Sequence, residues 1–153
     1  MVRIRFAVAV VALAVLGLFA VAPGPLSADT KQTIRLVERA TTDATTDTGE
    51  KGDTVGDLLT FANQVFDEKN ATQVGTDQGF CVRVAKGVSW ECFWTLTLAD
   101  GQLTVEGPFL DAGDSVLAVT GGTGAYSAAE GQMKLHARNA AGSEYDFLYE
   151  IEK

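Results

Sequence analysis

The sequence predicts an all-β fold, a single closed antiparallel barrel of about eight strands. Three observations carry this. Short runs with alternating apolar and polar residues follow one another from Thr33 to Ile151, broken by turn signals at hairpin spacing. No stretch reads as a strand–helix–strand unit. Two hairpin registers, worked out below, place apolar and aromatic side chains on one face of three consecutive strands, as the wall of a barrel requires.

The first 28 residues stand apart from this pattern. Arg3 and Arg5 precede an uncharged apolar run, Phe6–Ala22, that Pro23-Gly24-Pro25 ends. Leu26-Ser27-Ala28 then offers a small residue before Asp29. This is the layout of a secretory signal peptide, with cleavage expected after Ala28. The alternative is an uncleaved anchor, but the run falls short of the roughly 20 residues that span a bilayer. Residues 29–153 are left as one barrel domain exported from the cell.

Within that domain, Thr33–Ala40 reads as the first strand. Thr41–Asp53 is polar and without period, and reads as a mobile loop. Thr54–Phe66 reads as a strand or a short helix, its apolar spacing fitting neither period cleanly. Strands follow at Gly79–Ala85, Trp90–Ala99, Gln102–Gly107, Ser115–Gly121, Gly131–Asn139 and Glu144–Ile151. The GGTG run at Gly121–Gly124 invites a phosphate-loop reading. Such a loop must open a helix and be followed by Lys and Ser or Thr. Neither follows, so the run is read as a glycine-rich barrel turn.

The two cysteines, Cys81 and Cys92, flank a hairpin. With Lys86-Gly87 as a two-residue loop, paired residue numbers sum to a constant that sets Cys81 directly opposite Cys92. Directly opposed Cβ atoms are about 4.5–5.5 Å apart, within reach of a disulfide. An even cysteine count in an exported chain points the same way. That register puts Cys81, Arg83 and Ala85 on one face with Trp90, Cys92 and Trp94. Asp100-Gly101 as a type I′ loop continues the face through Leu96, Leu98, Leu103, Val105, Gly107 and Phe109. Glu91, Phe93, Thr95, Thr97, Thr104 and Glu106 take the other face.

Charge excludes some partners. The chain holds 12 Lys and Arg against 20 Asp and Glu, a net charge of −8, and two of the basic residues fall in the leader. Such a surface repels nucleic acid and anionic lipid. No His, Cys and Asp spacing suggests a metal site, and no cofactor motif is evident. His136, the single histidine, alternates outward beside Lys134 and Arg138. Asn70-Ala71-Thr72 is a glycosylation sequon, meaningful only in a eukaryotic secretory path.

The segment VEGPFLDAGDSVLAVTGGTGAYSAAEGQMKL carries a family resemblance. Gly107-Pro108-Phe109, Leu117-Ala118-Val119-Thr120-Gly121-Gly122, Gly124-Ala125-Tyr126 and Gly131-Gln132-Met133-Lys134-Leu135 resemble, in order, the pattern of the allene oxide cyclase barrels, relatives in fold of the dirigent proteins. VGDLLTFANQVFD, GFCV and the closing YDFLYEI extend the resemblance from about Ile34 to Ile151. It implies a rigid apolar cavity that forces a reactive molecule into one geometry, and by analogy a homotrimer or other homo-oligomer.

The resemblance carries over residue by residue and unevenly. Glu38 matches the cyclase glutamate that faces developing positive charge. Asn63 matches an asparagine of the water-holding cluster, and Cys81 the pocket cysteine. Phe109 stands where the cyclases have tyrosine, Ala40 where they have asparagine, and Glu130 where dirigents have arginine. The candidate catalytic residues are therefore Glu38 and Asn63, with Arg83, Trp90, Trp94 and Phe109 as pocket lining. A Glu38–Arg83 pair is expected to offset the burial of the carboxylate. Two functional readings stand side by side. One is a cyclase or isomerase that steers ring closure of a hydrophobic small molecule without a cofactor. The other is a non-catalytic, dirigent-like or lipocalin-like binder of an apolar ligand. Loss of the water-cluster residues favours the second.

Overall fold

The computed structural model of the chain describes residues 30–153. The expected leader, with its cleavage point at Ala28, lies outside the described residues. The rest is all β: β1 (Gln32–Arg39), β2 (Ala44–Thr46), β3 (Leu58–Asp67), β4 (Gln73–Ala85), β5 (Ser89–Leu98), β6 (Gly101–Leu110), β7 (Ser115–Gly124), β8 (Glu130–Ala137) and β9 (Glu144–Glu152). Each strand from β3 to β9 pairs with its sequence neighbour, and β1 pairs with both β9 and β3. That last pairing, Leu36 opposite Asp67 through Arg39 opposite Gln64, closes an eight-stranded barrel with no free edge in its wall. Short β2 lies on the β3 edge above the point where β1 ends.

The barrel has a filled end and an open end. Leu96, Leu103, Val105, Met133, Tyr149 and Ile151 are all within 1% of fully buried and fill the end where β1 begins. Tyr126, from the turn after β7, packs into the same core. Gly122 makes this closure possible, since a Cβ there would collide with the carbonyls of Tyr126 and Gln102. The GGTG run is therefore the last part of strand β7, and the turn itself is Ala125–Ala128. No helix follows it, so the run has no phosphate-binding geometry.

Three local expectations need correcting. The β4–β5 loop has three residues, Lys86-Gly87-Val88, rather than two. A register shift between Arg83 and Ala85 offsets the extra residue, so Cys81 still faces Cys92. The β5–β6 loop is Ala99-Asp100, with Leu98 paired to Gly101. Partners slide by two residues from the expected register, and because side chains alternate with period two every face is retained. The polar segment after β1 is held at several points. It contributes β2, and the Asp57 carboxylate accepts from the backbone N–H groups of Thr48 (3.1 Å) and Thr54 (2.7 Å) and from the Thr54 hydroxyl (3.0 Å). Thr54–Phe66 resolves into loop and then strand from Leu58.

Candidate active site

The open end is ringed by the β1–β3 segment and by the β4–β5, β6–β7 and β8–β9 loops. The inward face below it is the face anticipated across β4, β5 and β6. Cys81, Cys92, Trp94 and Arg83 are buried on it, and Glu91, Glu106 and the aromatic Phe93 are exposed on the other side. Cys81 and Cys92 form a disulfide with Cα atoms 4.0 Å apart. It lines a cavity of about 40 Å³ together with Glu38, Asp43, Phe61, Trp94, Phe109 and Tyr145.

The cavity wall is a connected set of rings. Trp94 lies opposite Gly79, where any side chain would strike the Phe93 carbonyl and the Trp94 Cβ. It stacks on Phe147 at 6.0 Å and 25° and receives the edge of Phe61 at 6.0 Å. Phe109 meets Tyr145 edge to face at 5.9 Å and 78°. Each is an ordinary favourable aromatic geometry. Phe109, Leu135 and Tyr145 also line a wider outer cleft of about 360 Å³ between the β6–β7 and β8–β9 loops. The inner cavity and the outer cleft thus share the Phe109–Tyr145 pair as a partition.

Glu38 supplies the reactive side chain. It is 5% exposed, and Asn63 Nδ2 donates to its Oε1 at 2.8 Å. The same amide donates to Asp43 Oδ1 at 2.7 Å, and its Oδ1 accepts from Thr41 N (3.0 Å), Thr42 N (3.0 Å) and Thr42 Oγ1 (2.8 Å). Asn63 therefore uses its full donor set and ties β3, β1 and the segment after β1 to the acid. Burial, followed by the charge of Asp77, raises the Glu38 pKa well above the usual carboxyl range. Asp77, buried opposite Asn63 in the β3–β4 register, is pushed to about 7, with burial the largest cause. Burial and then the Asp43 and Glu38 charges raise the Tyr145 hydroxyl as well. The site sets two buried carboxyls, Glu38 and Asp77, whose pKa values burial raises, beside aromatic walls.

Arg83 does not pair with Glu38. It faces inward but sits higher, at the rim, with its guanidinium 4.0 Å above the Trp90 ring. Its Nη1 donates to both Asp111 oxygens, at 2.6 and 2.8 Å, and its Nε lies 2.7 Å from Asp53 Oδ1, off the line of the N–H bond. Two nearer carboxylates on the rim loops outcompete the one inside. Arg83 and Trp90 line a separate rim cleft with Asp47 and Asp57. So the structure brings Glu38, Trp94 and Phe109 together around one cavity, with Asn63 behind Glu38 as its hydrogen-bond donor, and sets Arg83 and Trp90 apart from it. His136 is on the surface, 2.7 Å from Asp114. Among the described residues no group of three or more His, Cys, Asp or Glu could hold a metal.

Sequence reasoning missed Asp43, Asp77, Tyr145, Phe147 and Tyr149. The last three alternate in YDFLYEI, and a period-two reading of β9 finds all of them at once. Asp77 lies two residues before the expected start of β4. Extending the Cys81–Gly79 alternation by one step places it inside. Asp43 sits in a segment without period, and no sequence signal marks it.

Solved structures resemble this barrel. A pyocyanin demethylase superposes with a TM-score of 0.66 at 25% identity, covering 77% of this chain and all (100%) of the other. A pterocarpan synthase dirigent protein, PsPTS1, gives 0.64 at 15% identity over 82% and 94% of the two chains. The Diels–Alderase AbmU from Streptomyces koyangensis gives 0.63 at 13% identity over 82% and 69%. The sequence profile described as allene oxide cyclase matches residues 34–139, from β1 through the end of β8, and on that match the chain belongs to the allene oxide cyclase family.

Proposed function

We propose that the protein is a cyclase or isomerase that binds a hydrophobic small molecule at the open end of the barrel and steers its ring closure with Glu38. One observation carries this reading. A buried acid, its pKa raised by that burial and its carboxyl oriented by a fully hydrogen-bonded Asn63, lines an aromatic cavity. A carrier of apolar ligands gains nothing from such a group. Burying a carboxyl away from water costs stability, and a site that retains it uses it.

In this mechanism the outer cleft receives the bulk of the molecule, and the reactive portion passes the Phe109–Tyr145 pair. Trp94, Phe61 and Phe109 hold it in a folded conformer, converting a flexible chain into one near its ring-closing geometry. Glu38 donates a hydrogen bond or proton to an oxygen where negative charge develops, in surroundings that strengthen the interaction. Ring closure of this kind rearranges bonds within one molecule and exchanges no electrons with an outside partner. That the fold also serves a Diels–Alderase and a pterocarpan synthase dirigent protein supports ring-forming chemistry in such a barrel. Export from the cell is part of the proposal, and a structural disulfide suits that compartment.

The test is incubation with linear conjugated polyenes bearing an epoxide or ketone, and with compounds carrying a diene and a dienophile. Products are separated and weighed by mass spectrometry. The expected result is an isomer of unchanged mass, formed at least about tenfold more slowly by Glu38→Gln. Compounds bound and recovered unchanged by both proteins would establish the binding-module reading instead.

A further inference from the structure

Ring closure as described uses Glu38 and leaves Asp77 without a part. Asp77 is 1% exposed and faces the barrel interior from β4, directly opposite Asn63. No N–H or O–H group of the described residues donates a hydrogen bond to either of its oxygens. The backbone N–H groups of Asn63 and of Asp77 itself lie close enough to draw its pKa down somewhat, but neither is aligned as a donor. Its partner across the ladder, Asn63, donates to Glu38 Oε1, so the Asp77 and Glu38 carboxyls adjoin in one buried patch, near enough for each to shift the other's pKa.

Two adjoining buried carboxylates cannot both be ionised unless a cation or several donors offset them. The groups that face the pair are Asp43 from the segment after β1, Asn63 from β3, the Trp94 indole from β5, and Tyr145 and Tyr149 from β9. None is a cation, and Asp43 adds negative charge. The buried guanidinium of Arg83 is turned to Asp53 and Asp111 at the rim. Both amide hydrogens of Asn63 are engaged, one by Glu38 and one by Asp43. The Trp94 Nε1 and Tyr149 Oη adjoin each other and form no hydrogen bond with any acceptor. The hydrogen left to satisfy Asp77 is therefore one carried by the two carboxyls themselves.

We infer that Asp77 is the internal proton partner of Glu38, a positioning residue that shares protons with it and sets whether Glu38 faces the pocket as donor or acceptor. Asp77 does not line the cavity, so it acts through Glu38. When a bound molecule takes the proton of Glu38, that O–H bond breaks and the proton on Asp77 is shared between the two carboxyls, leaving one negative charge spread over both groups. When the molecule releases a proton from another position, the pair takes it back. One proton leaves and one returns, so the product keeps the formula of the substrate. The direction of both pKa shifts, upward by burial, fits such a pair. The inference rests on the reading of Glu38 as the pocket acid.

The experiment needs no substrate. The side-chain carboxyls of Asp and Glu are labelled with ¹³C in the full chain, and their resonances are followed by NMR through a pH titration. The expected result is that Glu38 and Asp77 each report the same two steps, as coupled groups do. In Asp77→Asn the Glu38 curve should collapse to one step, displaced downward by at least about one pH unit. Two independent single-step curves in the unaltered protein overturn the inference, even if the variant fails to fold, and so does an unmoved Glu38 curve in a folded variant. If the pair titrates as a unit while ring closure does not depend on Glu38, proton sharing stands and the cyclase reading falls. If the pair titrates independently while Glu38→Gln abolishes ring closure, the reverse holds.

Discussion

Phe109 and Tyr145 meet edge to face at 5.9 Å across the open end of the barrel, and together they divide a 40 Å³ inner cavity from a 360 Å³ outer cleft. Neither ring is fully buried, and neither is held by a hydrogen bond among the described residues. The partition therefore rests on ring packing alone. Its opening sets how large a molecule reaches Glu38.

Phe109→Ala should merge the two spaces. Truncating a buried Phe typically costs about 3–5 kcal/mol, and a partly exposed ring should cost less, about 1–3 kcal/mol. The protein should stay folded and bind larger apolar fluorophores at least about tenfold more tightly. Fluorescence titration with a polarity-sensitive dye, alongside urea unfolding, checks both parts. Phe109→Tyr should change neither by much, since the ring remains.

The disulfide is a wall of the same cavity. Cross-linking residues 11 apart in sequence constrains the unfolded chain by about 2–3 kcal/mol on the chain-entropy account. Cys81→Ser with Cys92→Ser should lower stability by that amount and loosen the packing of the adjacent Trp94. Denaturant unfolding, with intrinsic tryptophan fluorescence of the native state, measures both. A double variant as stable as the parent would show that the β4–β5 ladder holds this hairpin without the bond.

How far these features are legible in sequence depends on how each is encoded. The facing cysteines follow from hairpin arithmetic, and that arithmetic survives a wrong loop length because the shift near Arg83 offsets it. The β5–β6 loop lies one residue earlier than the Asp100-Gly101 signal places it, with no effect on faces, because the period is two. Glu38, Trp94 and Phe109 line one cavity, and Asn63 donates to Glu38 from behind it. Asp77 is only faintly legible, because Gly75 and Gly79 dilute the strand signal around it and only one further step of the Cys81–Gly79 alternation reaches it. Arg83 lies on the face that alternation gives it, but its partners are Asp53 and Asp111 rather than Glu38. Alternation reports the side of the wall and says nothing of height along the barrel, and height decides between Glu38 and the rim aspartates.

The raised acids predict how stability depends on pH. A carboxyl whose pKa is higher in the folded state binds its proton more tightly there. Unfolded Asp and Glu ionise near pH 4, while Asp77 folded ionises at about 7. Between those values the folded state carries more protons, so stability should fall as pH rises from about 4 to about 7. His136 has a folded pKa raised by its hydrogen bond to Asp114. Its contribution is present below its unfolded value near 6.5 and is lost as pH rises through the folded one, which adds to the fall at the upper end. Asp57, whose pKa is lowered chiefly by the Thr54 backbone N–H, works oppositely at lower pH, its contribution fading as acid protonates it. Unfolding free energy measured at steps from pH 4 to pH 8 should therefore decline. The decline should shrink in Asp77→Asn and persist in His136→Ala. A flat profile in the unaltered protein would contradict the raised values.

Arg83 is the fastening of the rim. One guanidinium joins Asp53 from the segment before β3 to Asp111 from the β6–β7 loop and lies over Trp90. Asp53 Oδ2 also accepts from the Gly87 N–H at 2.9 Å, so three loops meet at this point. The Arg83 side chain is 8% exposed and its partners 37% and 26%. This is a half-shielded cluster rather than a sealed one, and its net contribution is smaller than the 3–5 kcal/mol lost on breaking a fully buried pair. Arg83→Met keeps most of the stem that covers Trp90 and removes the charge. It should lower stability by about 1–3 kcal/mol and leave Asp53 and Asp111 repelling each other. The repulsion acts on the segment between β2 and β3. Hydrogen exchange should therefore accelerate at Thr48 and Thr54, whose N–H groups are held by Asp57, and stay unchanged in β6 through β9. Added salt should restore part of the loss by screening the two carboxylates. Uniform acceleration across the barrel would mean instead that Arg83 supports the whole fold, with no separate role in holding the loops.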